Sequence, residues 1–230
     1  LLNQAVKNKN AQLIDLLLKN GANATDALKD AVTVGEIGIV KQLLTAGADG
    51  TRADILMASV SKNNADLTGL LLSAGANPEQ ILDATVSAGA GNILQLLISK
   101  GVNVSNHKYL LTAIGKNNQV IAGMLIKGGC DVKYVDNSGN NLLHLAAKAE
   151  ADKLISLIAQ AGVPVNVANN AKDYPLHIAV QQGRGEVELV EEFIKNGADV
   201  NAKNGSGKTP MALAKGSRIK KRLKEAGGME

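Results

Sequence analysis

Tyr174-Pro175-Leu176-His177-Ile178-Ala179 opens a segment that closes on Asn196-Gly197-Ala198-Asp199-Val200-Asn201-Ala202. Leu176 stands three residues before Ala179, and Phe193 stands four before Gly197. Both spacings keep apolar side chains on one helical face, so the segment predicts two helices joined by a turn. The glycine follows the second helix, where a left-handed C-terminal cap is wanted and only glycine adopts it without a Cβ penalty.

The same punctuation recurs along the chain. Capping glycines fall at Gly21, Gly47, Gly75, Gly101, Gly129, Gly162 and Gly197, in steps of 26, 28, 26, 28, 33 and 35. Sixteen residues before the first six stands a small residue: Ala5, Ala31, Ser59, Thr85, Ala113 and Ala146. Ala179 joins this column after a two-residue adjustment near Arg184-Gly185. Three residues earlier lie Leu2, Leu28, Leu56, Leu82, Leu110, Leu143 and Leu176, and four before each glycine lie Leu17, Leu43, Leu71, Leu97, Leu125, Ile158 and Phe193. Met211 and Ala214 open an eighth, incomplete copy. A fixed period of this kind signals a repeat architecture.

One unit of 26 to 35 residues buries a handful of aliphatic side chains at roughly 1.5–3 kcal/mol each. Ordering its backbone costs about 1–2 kcal/mol per residue. A lone unit therefore cannot stand, and stacking neighbours into a continuous core is the physical solution. The small residue in each first helix lets neighbouring helices approach closely. Residues 1–230 are expected to form a single array of about eight repeats, the last an incomplete C-terminal cap.

Tyr174-Pro175-Leu176-His177-Ile178-Ala179 and Thr209-Pro210-Met211-Ala212-Leu213-Ala214 resemble the Thr-Pro-Leu-His-x-Ala signature of ankyrin repeats. Asn141-Leu142-Leu143-His144-Leu145-Ala146 is a looser copy. Asn196-Gly197-Ala198-Asp199-Val200-Asn201-Ala202 resembles the ankyrin segment that leaves the second helix and enters the hairpin. The resemblance covers the whole chain, but its full motif appears only from about residue 129. The fold class it implies is all-α: an ankyrin-type helix-pair solenoid.

The first four units depart from that family. The last junction places 13 residues between Gly197 and Pro210, the first only 6 between Gly21 and Ala27. The missing residues are the β-hairpin finger. Residues 1 to about 107 are expected to be helix pairs joined by short turns such as Ala22-Asn23-Ala24-Thr25, with short fingers only at 130–141, 163–174 and 198–209.

Composition narrows the class further. Aromatic residues make up 2% of the chain and tryptophan is absent, so the core must be aliphatic. The lone Cys130 cannot form an internal bridge, which suits a reducing, cytoplasmic compartment. No apolar run is long enough to span a bilayer. The start, Leu1-Leu2-Asn3-Gln4, lacks a leader pattern and an initiator methionine, so the chain is expected to begin inside a longer protein. The net charge of +4 is local: without Lys215, Arg218, Lys220, Lys221, Arg222 and Lys224, 19 basic residues face 21 acidic ones. A basic terminal helix on a slightly acidic body weighs against a general nucleic-acid binder. In that helix Ile219 and Leu223 can pack on the preceding repeat, leaving a charged outer face that caps the array or meets an anionic partner.

Catalytic patterns are weak by comparison. Gly205-Ser206-Gly207-Lys208-Thr209 ends like a phosphate-binding loop, but the first glycine of that pattern would fall on Ala202. Thr209-Pro210 suits an N-cap followed by a proline at the first helical position. His107, His144, His177 and Cys130 lack metal-ligand spacing. His144 and His177 share a repeat column, where the ankyrin resemblance implies a structural histidine bonded to backbone around the inter-repeat turn. Cys130 aligns with Ala198, a small packed position, and a buried thiol without a positive neighbour is inert. Glu191-Glu192 reads as a solvated face. No enzyme activity, cofactor or metal is expected.

The ankyrin resemblance implies a monomer that holds another protein on a concave side made by finger tips and first helices. Finger candidates are Tyr134, Val135, Asn137 and Ser138, then Asn170, Lys172 and Asp173, then Lys203, Asn204, Ser206 and Lys208. Helical candidates are Lys116, Lys148, Gln181 and Gln182. Tyr134 is singled out because a large aromatic there replaces Ala202 of the last finger, and aromatics are favoured binding anchors. Packing against a neighbouring finger is its other reading. The alternative function is the recruiting arm of a larger protein, such as an effector delivered by an intracellular bacterium into host cytoplasm, with any enzymatic domain outside this segment.

Overall fold

A computed structural model describes residues 1–182 and 187–230. The register adjustment expected near Arg184-Gly185 lies outside the described residues. The chain resolves into two compact units, Leu1–Asn103 and Val104–Glu230.

The first unit pairs α1 (Leu2–Lys7) with α2 (Ala11–Lys19), α3 (Ala24–Val34) with α4 (Ile37–Thr45), and α5 (Ala53–Ser61) with α6 (Ala65–Ser73). Its last pair is α7 (Leu82–Ala88), entered through a 3-10 turn at Pro78–Ile81, and α8 (Gly91–Ser99). The second unit pairs α9 (His107–Gly115) with α10 (Gln119–Lys127) and α11 (Leu142–Lys148) with α12 (Asp152–Gln160). It continues with α13 (Pro175–Gln181) and α14 (Val187–Lys195), then α15 (Pro210–Leu213) and α16 (Ser217–Glu225). First helices stack on first helices: α1, α3, α5 and α7 in one unit, α9, α11, α13 and α15 in the other. Second helices form the parallel rows α4, α6, α8 and α10, α12, α14, α16. This is the all-α, helix-pair architecture that the sequence period predicts.

The three columns read from the sequence are the core. Leu28, Leu56, Leu82, Leu110, Leu143 and Leu176 are at most 2% exposed, and Leu43, Leu71, Leu97, Leu125, Ile158 and Phe193 are fully enclosed. Ala31, Ser59, Thr85, Ala113, Ala146 and Ala179 on the first helices are equally buried. Of the two hydroxyls in that column, Ser59 Oγ lies 2.8 Å from Thr68 Oγ1 of α6, whereas the buried Thr85 Oγ1 has no hydrogen-bond partner among the described residues.

All seven capping glycines have φ between 79° and 97°. The residue after each one donates its N–H back to the carbonyl of the buried column residue, as Cys130 does to Leu125 at 2.9 Å and Ala198 to Phe193 at 3.0 Å. That bond satisfies an orphan helix carbonyl and turns the chain sharply. A second left-handed column joins the two helices of each of the first six pairs: Lys9, Gly35, Asn63, Gly89, Asn117 and Glu150. Beside it, the side chains of Asn10, Asn64 and Asn118 cap α2, α6 and α10.

In the first unit the junctions are short, and Asn23 and Asn77 cap the next helix directly. Long junctions occur, among the described residues, only at 130–141, 163–174 and 198–209, as expected. Among the described residues the one formal β-bridge joins Val135 and Asn141. α16 buries Ile219 and Leu223, and Arg222 reaches Glu191 of α14 at 3.2 Å. The chain then turns at Gly227 and returns to the last finger, where Met229 N–H donates to Asn201 Oδ1 at 2.8 Å. Among the described residues no helix is long and apolar enough to cross a membrane.

Candidate partner-binding surface

Each finger tip in the second unit is folded by one side chain. Asp136 Oδ1 accepts from the N–H groups of Ser138 and Asn140 at 2.8 and 2.9 Å. Asn169 Oδ1 does the same for Ala171 and Asp173, both at 3.0 Å. Asn204 Oδ1 does so for Ser206 and Lys208, at 3.0 and 3.1 Å. The short polar side chain substitutes for a strand partner, so the tips need no extended sheet. Burial pushes the Asp136 carboxyl up, but the bonds from Asn140 and Ser138 together outweigh it and leave it below the ordinary carboxylate range.

Two of these residues, Asn169 and Asn204, also tie finger to finger. Asn169 Nδ2 donates to Asn140 Oδ1 at 2.8 Å, and Asn204 Nδ2 donates to Asp173 Oδ1 at 2.8 Å. Asn170 N–H donates to the carbonyl of Ser138 at 3.0 Å, and its side chain to that of Asn137 at 3.1 Å. This approach requires glycine at 139, where φ is +77° and an added Cβ would lie 2.9 Å from the backbone nitrogen of Asn170.

Both buried histidines join helix starts to the following finger. In α13, Tyr174 N–H donates to His177 Nδ1 at 3.3 Å, and Nε2–H donates to the Lys208 carbonyl at 3.0 Å. His144 of α11 receives Asn141 N–H at 3.2 Å and lies 3.1 Å from the Asp173 carbonyl. Burial pulls the His144 pKa below its ordinary value, which keeps the ring neutral. Cys130 is buried, its thiol 3.4 Å from the Asn106 carbonyl, and burial raises its pKa. Among the described residues no three His, Cys, Asp or Glu side chains are grouped to hold a metal ion.

The finger candidates lie together along three adjacent tips. Val135, Asn137, Ser138, Asn170, Lys172, Lys203, Ser206 and Lys208 are exposed, while Asp173 and Asn204 are half-buried in the ladder just described. Tyr134 is half-buried, its ring stacked on His107 of α9 with centroids 3.9 Å apart and planes 15° from parallel. The helical candidates lie elsewhere: Lys116, Lys148, Gln181 and Gln182 fall at the C-terminal ends of α9, α11 and α13. A helix of seven residues puts them about 10 Å along the axis from the fingers. Gln182 is half-buried and bonds to the Ile178 carbonyl at 3.2 Å.

Val167, 39% exposed, belongs with Tyr134 and Val135 and was not among the candidates. Its repeat column, Tyr134, Val167 and Ala202, carried the signal. Glu192 also differs from the solvated-face expectation. A hydrogen bond from Ser156 of α12 at 2.6 Å, aided by Lys195, holds its carboxyl below the ordinary range and ties α12 to α14.

Stacked helix pairs, a glycine closing seven of them, and fingers bonded to one another define a helix-pair repeat array. Residues 143–225 match the family model of ankyrin repeats, in three copies, and this chain carries ankyrin repeats. It is 24% identical to the phosphocholine transferase AnkX of Legionella pneumophila, over 91% of this chain and 29% of that protein. It is 24% identical to the E3 ubiquitin-protein ligase KEG of Arabidopsis thaliana, over 88% of this chain and 15% of that protein. It is 31% identical to the nuclear factor NF-kappa-B p105 subunit of Gallus gallus, over 49% of this chain and 12% of that protein. The chain spans less than a third of the length of each of these relatives.

Proposed function

We propose that this chain is a non-catalytic scaffold that holds a partner protein on the row of finger tips and the adjoining first helices of its second unit. The finger-to-finger ladder carries this reading. Asn140, Asn169, Asp173 and Asn204 hold the tips in fixed register before any partner arrives, which lowers the ordering cost of association. Tyr134, Val135 and Val167 supply apolar area on that row, and Asn137, Ser138, Lys172, Lys203, Ser206 and Lys208 surround it with polar groups. The C-terminal positions Lys116, Lys148, Gln181 and Gln182 are the outer limit of the surface. The basic face of α16 is assigned to capping, because Ile219 and Leu223 bury its other face.

The test is affinity capture from lysate with three baits: the native chain, Tyr134→Ala/Val167→Ser, and Lys153→Ala on the outer face of α12. A protein retained by the first and third and lost from the second supports the proposal. Equal retention by all three sinks it. We also propose that residues 1–230 behave as one array, which requires a single thermal transition reported alike by probes in each unit.

A second reading is favoured by the likeness to AnkX, an enzyme of which the chain covers 29%. Here the repeats are the recruiting arm of a larger protein, with any enzymatic segment outside residues 1–230 and the cytoplasm, or a host's cytoplasm, as the working compartment. Binding of a partner that is then modified by the longer protein, and not by residues 1–230, separates this reading from the first.

A further inference from the structure

The three fingers share one left-handed tip position, and glycine fills it in two of them. Gly139 and Gly207 hold φ of 77° and 72°, whereas Lys172 holds 63° at the matching place between them. An L-residue is strained there, because its Cβ crowds the following carbonyl. Among the described residues the other left-handed positions without glycine, Lys9, Asn63, Asn117 and Glu150, all belong to the link within a pair. The finger holds Lys172 in place from both sides. Asn169 Oδ1 accepts from the N–H groups of Ala171 and Asp173, and Lys172 N–H donates to the Asn169 carbonyl at 2.9 Å. Backbone strain that the surroundings maintain at an exposed tip is a pointer to function.

The side chain supplies the reason. A Cβ added at Gly205 would lie 3.2 Å from Lys172 Cβ and 3.5 Å from its Cγ, so the lysine stem leans over the next finger. Matching positions in the other fingers carry Asn137 and Asn170. Gly205 leaves room for an aliphatic stem whose charged head stays in water. Lys172, Lys203 and Lys208 are all exposed, and among the described residues none of them has a salt-bridge partner; this unit's ion pairs include Lys195–Glu192 and Arg222–Glu191 on the second helices. The tip carboxylates are already engaged. Asp136 accepts from Ser138 and Asn140, and Asp173 accepts from Asn204. The tips therefore present positive charge that the finger ladder does not neutralise.

We propose that Lys172, with Lys203 and Lys208, makes the finger tips of the second unit a seat for an acidic, extended segment of the partner protein. This rests on the scaffold reading above and adds the chemistry of what is held. Adjacent tips repeat at the spacing of packed helices, about 8–10 Å. An extended peptide advances about 3.3 Å per residue, so a carboxylate at every third residue keeps step with the fingers. A nucleic acid fits the row less well. Asp131 and Asp199 are exposed where two of the three fingers begin, and a continuous phosphate backbone along the row would meet them as like charge.

Fluorescence anisotropy on residues 1–230 tests this with three labelled probes. They are a peptide of about a dozen residues with Glu at every third position, the same peptide with Gln in place of Glu, and a single-stranded oligonucleotide of equal length. The Glu peptide should bind at least about tenfold more tightly than the Gln peptide and should weaken as salt rises from about 50 to 200 mM. Lys172→Gly should weaken it about three- to tenfold while raising the melting temperature by about 1–4 °C, because glycine relieves the tip. Lys203→Ser/Lys208→Ser should weaken it as well, and Lys153→Ala on α12 should change neither quantity. A lysine that serves only the finger would give the reverse pattern, lower melting with affinity intact. Equal binding of the Glu and Gln peptides, undiminished affinity or lower melting in Lys172→Gly, or tighter binding of the oligonucleotide each overturns the proposal. If the Glu peptide fails while capture still depends on Tyr134 and Val167, the acidic segment falls and the scaffold stands; if that capture fails too, both fall.

Discussion

His144 Nε2 lies 3.1 Å from the carbonyl oxygen of Asp173, 29 residues further along the chain, so one imidazole fastens the start of α11 to the base of the next finger. The ring is buried and its pKa is pulled below the ordinary histidine value by that burial. The unfolded chain therefore binds a proton that the native ring refuses, and stability rises with pH through this window. The contribution is complete above the unfolded pKa of about 6.5 and fades as pH falls below it. His144→Ala should cost about 1–3 kcal/mol at pH 7.5, the penalty for leaving buried backbone groups unpaired. His144→Gln should flatten the loss of stability between pH 7 and pH 5, as measured by urea titration at each pH. An unchanged slope would show that other groups set the acid response.

Gly139 and Gly162 both hold left-handed backbone, at φ 77° and 93°, but only Gly139 faces another finger closely. Nothing lies within 4 Å of a Cβ added at Gly162, whereas one at Gly139 would press on the Asn170 backbone and side chain. Gly162→Ala should cost about 1–2 kcal/mol, the penalty for placing an L-residue there. Gly139→Ala should cost more and should also quicken amide exchange at Asn170, whose N–H holds the Ser138 carbonyl. Equal costs with unchanged exchange at Asn170 would mean that the two fingers move apart freely.

The glycine, leucine and small-residue columns were legible because one residue type serves each in nearly every repeat. A C-terminal cap of that geometry admits glycine almost alone, so Gly21 through Gly197 stand out at sight. The left-handed link within the first six pairs was not legible, because Lys9, Gly35, Asn63, Gly89, Asn117 and Glu150 share a conformation and not a residue type. The finger ladder was hidden for a related reason. Asn140, Asn169, Asp173 and Asn204 are ordinary loop residues in sequence, and the bonds from Asn169 to Asn140 and from Asn204 to Asp173 depend on packing 29 to 31 residues away.

Asn63 tests that hidden column. Its φ of 47° is tolerated by asparagine better than by residues without a short polar side chain. Asn63→Ala should lower stability by about 1 kcal/mol, and Asn63→Gly should be near neutral. Thermal melting of both variants decides the matter, and a neutral Asn63→Ala would show that the turn relaxes to another conformation.

Tyr134 offers the sharpest separation of binding from folding. One face of its ring is covered by His107, with centroids 3.9 Å apart, and the residue is half-buried. The adjoining Val135 is 54% exposed and Val167, one finger on, is 39% exposed. The stack holds the ring in one orientation, so a partner would meet a side chain with little rotamer freedom left to lose. Losing an aromatic pair costs about 0.5–1.5 kcal/mol of stability, and losing a central aromatic from an interface costs about 1–3 kcal/mol of affinity. Tyr134→Ala should then lower the melting temperature slightly and weaken partner binding more. His107→Ala removes the stack alone, so it should reproduce the loss in melting with a smaller loss in affinity. If Tyr134→Ala lowers melting and leaves affinity untouched, the ring belongs to the packing of the finger and the contact surface lies further along the tips, toward Asn170 and Ser206.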